Sequence, residues 1–109
     1  LFGATEVYIR GGMNGWGTAD ALSDNGDASF SVEIELNAER YEFKVASEDW
    51  STVNLGADNA SSEVSIDMPY TLTQGSNANL VVEADEAGTY VFTVTGPDPQ
   101  SPTVTITKK

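Results

Sequence analysis

The chain has 109 residues and a net charge of −12, from 17 acidic and 5 basic side chains. Such a negative surface repels a phosphate backbone, so we expect no nucleic-acid partner. The absence of cysteine and histidine excludes disulfides, cysteine nucleophiles, histidine bases and nearly every transition-metal site. No apolar run is long enough to cross a bilayer and no signal peptide is recognisable, so we expect one soluble domain, excised from or processed out of a longer protein.

Alternation of apolar and polar residues predicts β-strands along most of the chain. The first is predicted at residues 7–10. The stretches SFSVEIEL (29–36) and YEFKVAS (41–47) each place their apolar side chains on one face, and the connection between them at 37–40 is short enough for a hairpin turn. Further strands are predicted at 64–68, 80–84, 90–94 and 104–106.

Turn-forming residues separate these runs, at 23–27, 56–59, 74–77, 86–88 and 96–99. Seven to eight short strands with turns at this spacing indicate an all-β, immunoglobulin-like antiparallel β-sandwich. We assign residues 1–96 to the sandwich. Residues 97–109 are predicted to be an edge strand that leads into an inter-domain linker, because prolines before Thr103 disfavour a central position.

The two tryptophans lie in polar loops rather than on the predicted strands. Trp16 is surrounded by glycines in GGMNGWG, and Trp50 follows the strand at 41–47 in ASEDWSTVNLG. Aromatic rings at strand ends can form a binding platform, and an indole can stack on the C–H face of a sugar ring. The alternative is that each ring plugs one end of the sandwich.

Short amides and one ammonium group are the available partners for sugar hydroxyls: Asn14, Lys44, Asn54, Asn77 and Asn79. Each also has a structural interpretation. Lys44 is expected to face outward among glutamates, where it would form a weak surface ion pair. Asn14, Asn77 and Asn79 are ordinary turn residues.

The order VYIRGGMNGW, an alternating strand, YEFKVASEDWSTVNLG and NANLVVEADEAGTYVFTV resembles the starch- and glycogen-binding modules of bacterial α-amylases and pullulanases. The resemblance is greatest to carbohydrate-binding module family 69, with families 48 and 20 as more distant relatives. It implies a secreted, non-catalytic module, with no cofactor, that holds starch, glycogen or maltooligosaccharides against Trp16 and Trp50. It also implies that Lys44 and Asn79 bind glucose hydroxyls, with Asn77 and Asn54 as further candidates.

An amylose chain curves, so two rings held at an angle would suit it, whereas a flat row would suit cellulose or chitin. For such a shallow site we expect dissociation constants of about 10 µM to 1 mM. The module is expected to be monomeric and covalently linked to an amylolytic enzyme, which it would anchor to its substrate.

Three other functions are compatible with parts of the sequence. One is a calcium-stabilised adhesion domain, with ligands from Asp24, Asn25, Asp27, Asp58 and Asn59, although the EF-hand spacing is incomplete. Another is a structural spacer in a secreted protein, with buried tryptophans. Catalysis is disfavoured because a glycosidase needs two carboxylates facing each other across a deep cleft, and we assign no catalytic residue and no metal ligand.

Overall fold

A computed structural model describes residues 2–58, 60–96, 98 and 100–109. The described residues form two β-sheets, and no helix among them is long and apolar enough to cross a membrane. Asn59, Pro97 and Pro99 lie outside the described residues, so two of the predicted turns and one of the candidate calcium ligands are not covered in full.

Eleven strands occur in the described part of the chain. They are β1 (Tyr8–Gly11), β2 (Ser23–Asp24), β3 (Ser29–Leu36), β4 (Arg40–Ala46), β5 (Asn54–Gly56), β6 (Ser62–Glu63), β7 (Tyr70–Thr71), β8 (Thr73–Gln74), β9 (Leu80–Glu83), β10 (Gly88–Thr95) and β11 (Thr103–Lys108). One sheet has the order β6-β9-β4-β5-β8, with β1 also paired to β4, and the other has the order β2-β3-β10-β11-β7. The predicted all-β sandwich is confirmed. The count exceeds seven to eight because β2, β6, β7 and β8 are two-residue pairings.

The core lies between the two sheets, where the apolar sides of their strands meet. Phe43 of β4 and Phe92 of β10 are fully buried, and their rings meet edge to face with centroids 5.4 Å apart. Aromatic pairs favour this arrangement because the positive edge of one ring faces the negative face of the other. The apolar faces predicted from the alternation at 41–47 and 90–94 are therefore buried against each other, between the two sheets.

The predicted hairpin between the strands at 29–36 and 41–47 is wrong. β3 pairs with β2 and β10, whereas β4 pairs with β1, β5 and β9. The connection at 37–40 therefore passes from one sheet to the other, because the two apolar faces stabilise the fold by packing against each other across the core. Alternation identifies a half-buried strand but not its partner.

The predicted strand at 64–68 is also wrong. Only Ser62 and Glu63 pair with a neighbouring strand, in parallel with β9. The chain then turns: Asp67 has a φ of 68° and Met68 is 60% exposed. The left-handed region lies outside the extended geometry of a regular strand, so the alternation at 64–68 does not become a ladder.

The C-terminal strand is not at the edge of its sheet. β11 pairs with β10 over six residues and with β7 on its other side. The backbone N–H groups of Asp67 and Leu72 also donate to carbonyls of the 102–106 segment on that side. The linker beyond this strand stays a prediction.

Candidate functional site

The loop between β1 and β2 holds Trp16 through a tight turn. Asn14 accepts a hydrogen bond from the N–H of Gly11 at 3.1 Å and donates to the carbonyl of Ile9 at 2.7 Å. The N–H of Trp16 donates back to the carbonyl of Gly11 at 2.8 Å. The structural interpretation of Asn14 is thus the one that the geometry supports, because both ends of its amide are used within the protein.

The loop between β4 and β5 holds Trp50 through Asp49. The carboxylate of Asp49 accepts hydrogen bonds from the hydroxyls of Ser47 and Thr52 and from the N–H groups of Ser51 and Thr52. These bonds, the Ser47 hydroxyl first, hold the pKa of Asp49 well below its usual value. The N–H of Trp50 donates to the carbonyl of Ser47 at 3.2 Å, which closes the turn.

Both tryptophans have a left-handed backbone, with φ of 62° at Trp16 and 60° at Trp50. This conformation is an outlier for a bulky residue and costs about 1–3 kcal/mol at each site. Strain of this kind persists only where the surroundings enforce it, and it is concentrated at functional sites. Ala28 and Asp67 share this conformation, but the tryptophans are the two bulky aromatic residues that adopt it in the described part of the chain.

The two indole rings lie next to each other and both are partly exposed. Their centroids are 6.2 Å apart and their planes are inclined by 43°. Arg10 lies over the Trp50 ring, with Cζ 3.8 Å from the ring centroid. The structure therefore brings Trp16 and Trp50 into one angled platform, neither sealed in the core nor placed at opposite ends of the sandwich.

Lys44 lies beside this platform, since its β-ladder partner is Arg10. The expected surface ion pair is wrong: Lys44 is only 6% exposed and donates to the backbone carbonyl of Ser76. Burial lowers the pKa of its ammonium group. Through this hydrogen bond to Ser76, Lys44 connects β4 to the segment before β9. Contact between Lys44 and a ligand stays a prediction.

The three remaining asparagines follow the outer side of the same sheet. Asn79 donates to Glu42 at 2.9 Å, and Asn77 is exposed next to the residue that accepts from Lys44. Asn54 pairs with Ala46 of β4, and its side-chain oxygen is buried without a hydrogen-bond partner in the described part of the protein. A buried acceptor is costly when left unpaired, so a ligand hydroxyl or a water molecule would stabilise it.

Arg10 is the site residue that the sequence analysis missed. It is 8% exposed and contacts both tryptophan-bearing loops. The sequence does contain one signal. Arg10 is one of only five basic residues, it lies on the face of the first predicted strand opposite to Val7 and Ile9, and it directly precedes GGMNGW. Two of its three acceptors, however, are the carbonyls of Ser47 and Glu48, which lie 37 and 38 residues away and which no local pattern shows.

The acidic loop proposed as an alternative calcium site bonds to itself. Asp24 accepts from the N–H of Gly26 at 2.8 Å, and Asp27 accepts from the hydroxyl of Ser29. In the part of the chain that is described, no group of three or more acidic residues is clustered as metal ligands. The contacts are those of a turn.

These features define a class of protein: a small β-sandwich that presents a pair of inclined indole rings on two adjacent loops. No protein-family model matches the sequence, and no curated protein matches it. A solved structure described as the ligand-induced structure of AmyP-SBD, a starch-binding domain, is similar with a TM-score of 0.70. The match has 22% sequence identity and covers 94% of this chain and 72% of that one. It shows a shared fold, and does not place the chain in family 69.

Acid should open the Trp50 loop. The contribution of Asp49 is fully present above the ordinary carboxyl pKa of about 4, and it is lost progressively as the pH falls from there through the lowered pKa of the folded state. We therefore expect tryptophan fluorescence to be constant between about pH 7 and 4 and to change at lower pH. Asp49→Ala should show the acid-type spectrum already at neutral pH. Glu48→Gln, which alters the adjacent exposed carboxylate, is the matched control and should behave as wild type. An unchanged spectrum in Asp49→Ala at neutral pH would contradict the role of Asp49 in holding the Trp50 loop.

Proposed function

We propose that this protein is a non-catalytic α-glucan-binding module of the starch-binding type. The observation that carries the proposal is the platform of Trp16 and Trp50, with ring centroids 6.2 Å apart and an inclination of 43°. Two inclined rings fit two successive faces of a curved chain, whereas coplanar rings fit a flat one. The shared fold of a starch-binding domain supports the same substrate class.

The surroundings of the platform support a polymer rather than a small enclosed ligand. A groove continues from Trp16 along Gly12, Tyr41 and Glu42, and a second one lies beside the Trp50 loop along Tyr8, Asp49 and Thr52. Both are open surface grooves, so neither would enclose a ligand, and a glucan chain could extend beyond the rings. A cleft larger than either of these grooves lies elsewhere, beside Phe2 and Phe30, and is lined by neither tryptophan.

The polar row on β4 and its neighbours would bind hydroxyl groups. The amide of exposed Asn77 would donate directly, whereas the buried oxygen of Asn54 and the buried ammonium of Lys44 would reach a hydroxyl only after neighbouring groups move aside. Asn79 already donates to Glu42, so it would contribute its oxygen. In this proposal the module is secreted and linked to an amylolytic enzyme, whose local substrate concentration it raises.

Electrophoresis in native gels that contain a polysaccharide tests this function. We expect migration to be retarded by amylopectin and by glycogen, and not by hydroxyethyl cellulose, with β-cyclodextrin restoring normal mobility. Calorimetric titration with maltoheptaose should give a dissociation constant of about 10 µM to 1 mM. Equal mobility in all gels would remove the proposal and leave a structural spacer, and release of reducing sugar from soluble starch would show an enzyme instead.

A further inference from the structure

Arg10 is a buried cation with an unusual set of partners. It is 8% exposed, and in the described part of the chain it forms no ion pair with a carboxylate. Its charge is instead stabilised by three backbone carbonyls and by the face of one indole ring. A buried charge is costly unless it is bonded, so the buried guanidinium depends on these carbonyls and on this ring staying where they are.

The three hydrogen bonds come from two different loops. Nε of Arg10 donates to the carbonyl of Trp16 at 3.0 Å, in the loop between β1 and β2. One terminal nitrogen donates to the carbonyls of Ser47 and Glu48 at 3.0 and 2.9 Å, in the loop between β4 and β5. A single side chain therefore connects the backbone of Trp16 to the two residues that begin the turn of Trp50.

The guanidinium group also covers one face of Trp50, with Cζ 3.8 Å from the ring centroid. A cation over an indole is attracted by the ring quadrupole. A sugar ring can then stack only on the opposite face of Trp50. The side chain thus constrains both where the ring is held and which face it offers.

We propose that Arg10 is the positioning residue that sets the separation and inclination of the two indole rings and leaves one face of Trp50 for the ligand. This role rests on the proposed function where it concerns the ligand, but the ring geometry can be measured without any sugar. Arginine suits the role because its planar fork donates in several fixed directions while it stacks on an aromatic ring. A lysine has one point charge and cannot hold carbonyls of both loops in the same plane.

Circular dichroism of the free protein is the readout. Two indoles at this distance couple their transitions and give a signed couplet that depends on their separation and angle, which a general loss of stability in a folded protein would not alter. We expect Arg10→Gln to remove most of the couplet and to raise the dissociation constant for maltoheptaose about tenfold. Arg10→Lys should resemble Arg10→Gln. Lys109→Gln, which removes an exposed cation paired with Glu33 on the other sheet, should keep both the couplet and the affinity.

The outcomes separate the two proposals. A folded Arg10→Gln variant with an unchanged couplet would overturn the positioning role, even if wild type binds glucan. Loss of the couplet in that variant, together with no glucan binding by wild type, would support the positioning role and overturn the proposed function.

If the Arg10 variants do not unfold cooperatively in urea, and so are not properly folded, nuclear magnetic resonance of the wild-type protein tests the positioning role of Arg10 instead. The Nε–H of Arg10 should then be protected from exchange, and the Arg10 methylenes should show Overhauser contacts to the Trp50 ring. The absence of both signals would contradict the proposal.

Discussion

Replacing Trp50 by alanine is expected to weaken maltoheptaose binding by about 2 kcal/mol or more, which is a factor of about 30 in the dissociation constant. The substitution removes one of the two stacking surfaces and the ring over which Arg10 lies. The fold should remain, because Trp50 lies on a loop outside the core that Phe43 and Phe92 occupy. Calorimetric titration and urea unfolding of the same preparation measure the two effects.

Two further variants make this result specific. Trp50→Phe keeps a smaller ring and should bind with intermediate affinity. Met68→Ala removes an exposed apolar side chain outside the site, 60% accessible to solvent, and should bind as wild type does. Loss of folding in Trp50→Ala would show a role in the core, and full affinity in a folded Trp50→Ala would contradict the stacking site.

Replacing Phe92 by alanine is expected to lower the free energy of unfolding by about 3–5 kcal/mol. Phe92 is fully buried and its ring meets that of Phe43 from the opposite sheet at 5.4 Å. The substitution loses apolar burial and leaves a cavity between the sheets. A domain of this size has about 5–15 kcal/mol of stability in total, so urea denaturation should show a large fall in the midpoint.

Val91→Ala is the matched control, since Val91 lies next to Phe92 on β10 but points to the other face and is half-buried. We expect it to cost less than about 1 kcal/mol. The folded fraction of the Phe92→Ala variant should bind maltoheptaose with the same dissociation constant as wild type. A loss of stability below about 1 kcal/mol in Phe92→Ala would mean that the sheets do not pack through this aromatic pair.

Much of the fold could be predicted from the sequence because alternation is a local property. The stretches at 29–36 and 41–47 show which residues face inward, and the structure buries Ile34, Leu36, Phe43 and Val45 accordingly. Pairing is not local, so the short connection at 37–40 suggests a hairpin although its strands belong to different sheets. At 64–68 the alternation is real, but the left-handed turn at Asp67 prevents a ladder.

The candidate site shows the same division between local and distant information. Trp16 and Trp50 could be singled out because bulky aromatic residues in polar loops are conspicuous. The burial of Lys44 against the carbonyl of Ser76 could not be predicted from the sequence, because it depends on how β5 and β9 pair with β4. Arg10 escaped for the same reason, since its three acceptors lie on two loops that are 31 or more residues apart in the chain.

The central claim is that both indole rings contact one glucan, and the two tryptophans of this chain make that claim directly measurable. In a nitrogen-15 correlation spectrum each indole N–H gives one signal, so the site has two reporters and no others of that type. We predict that maltoheptaose shifts both signals along one titration curve with a common dissociation constant, and that cellohexaose shifts neither. Signals that stay in place at saturating maltoheptaose, or that titrate with unrelated constants, would contradict the account.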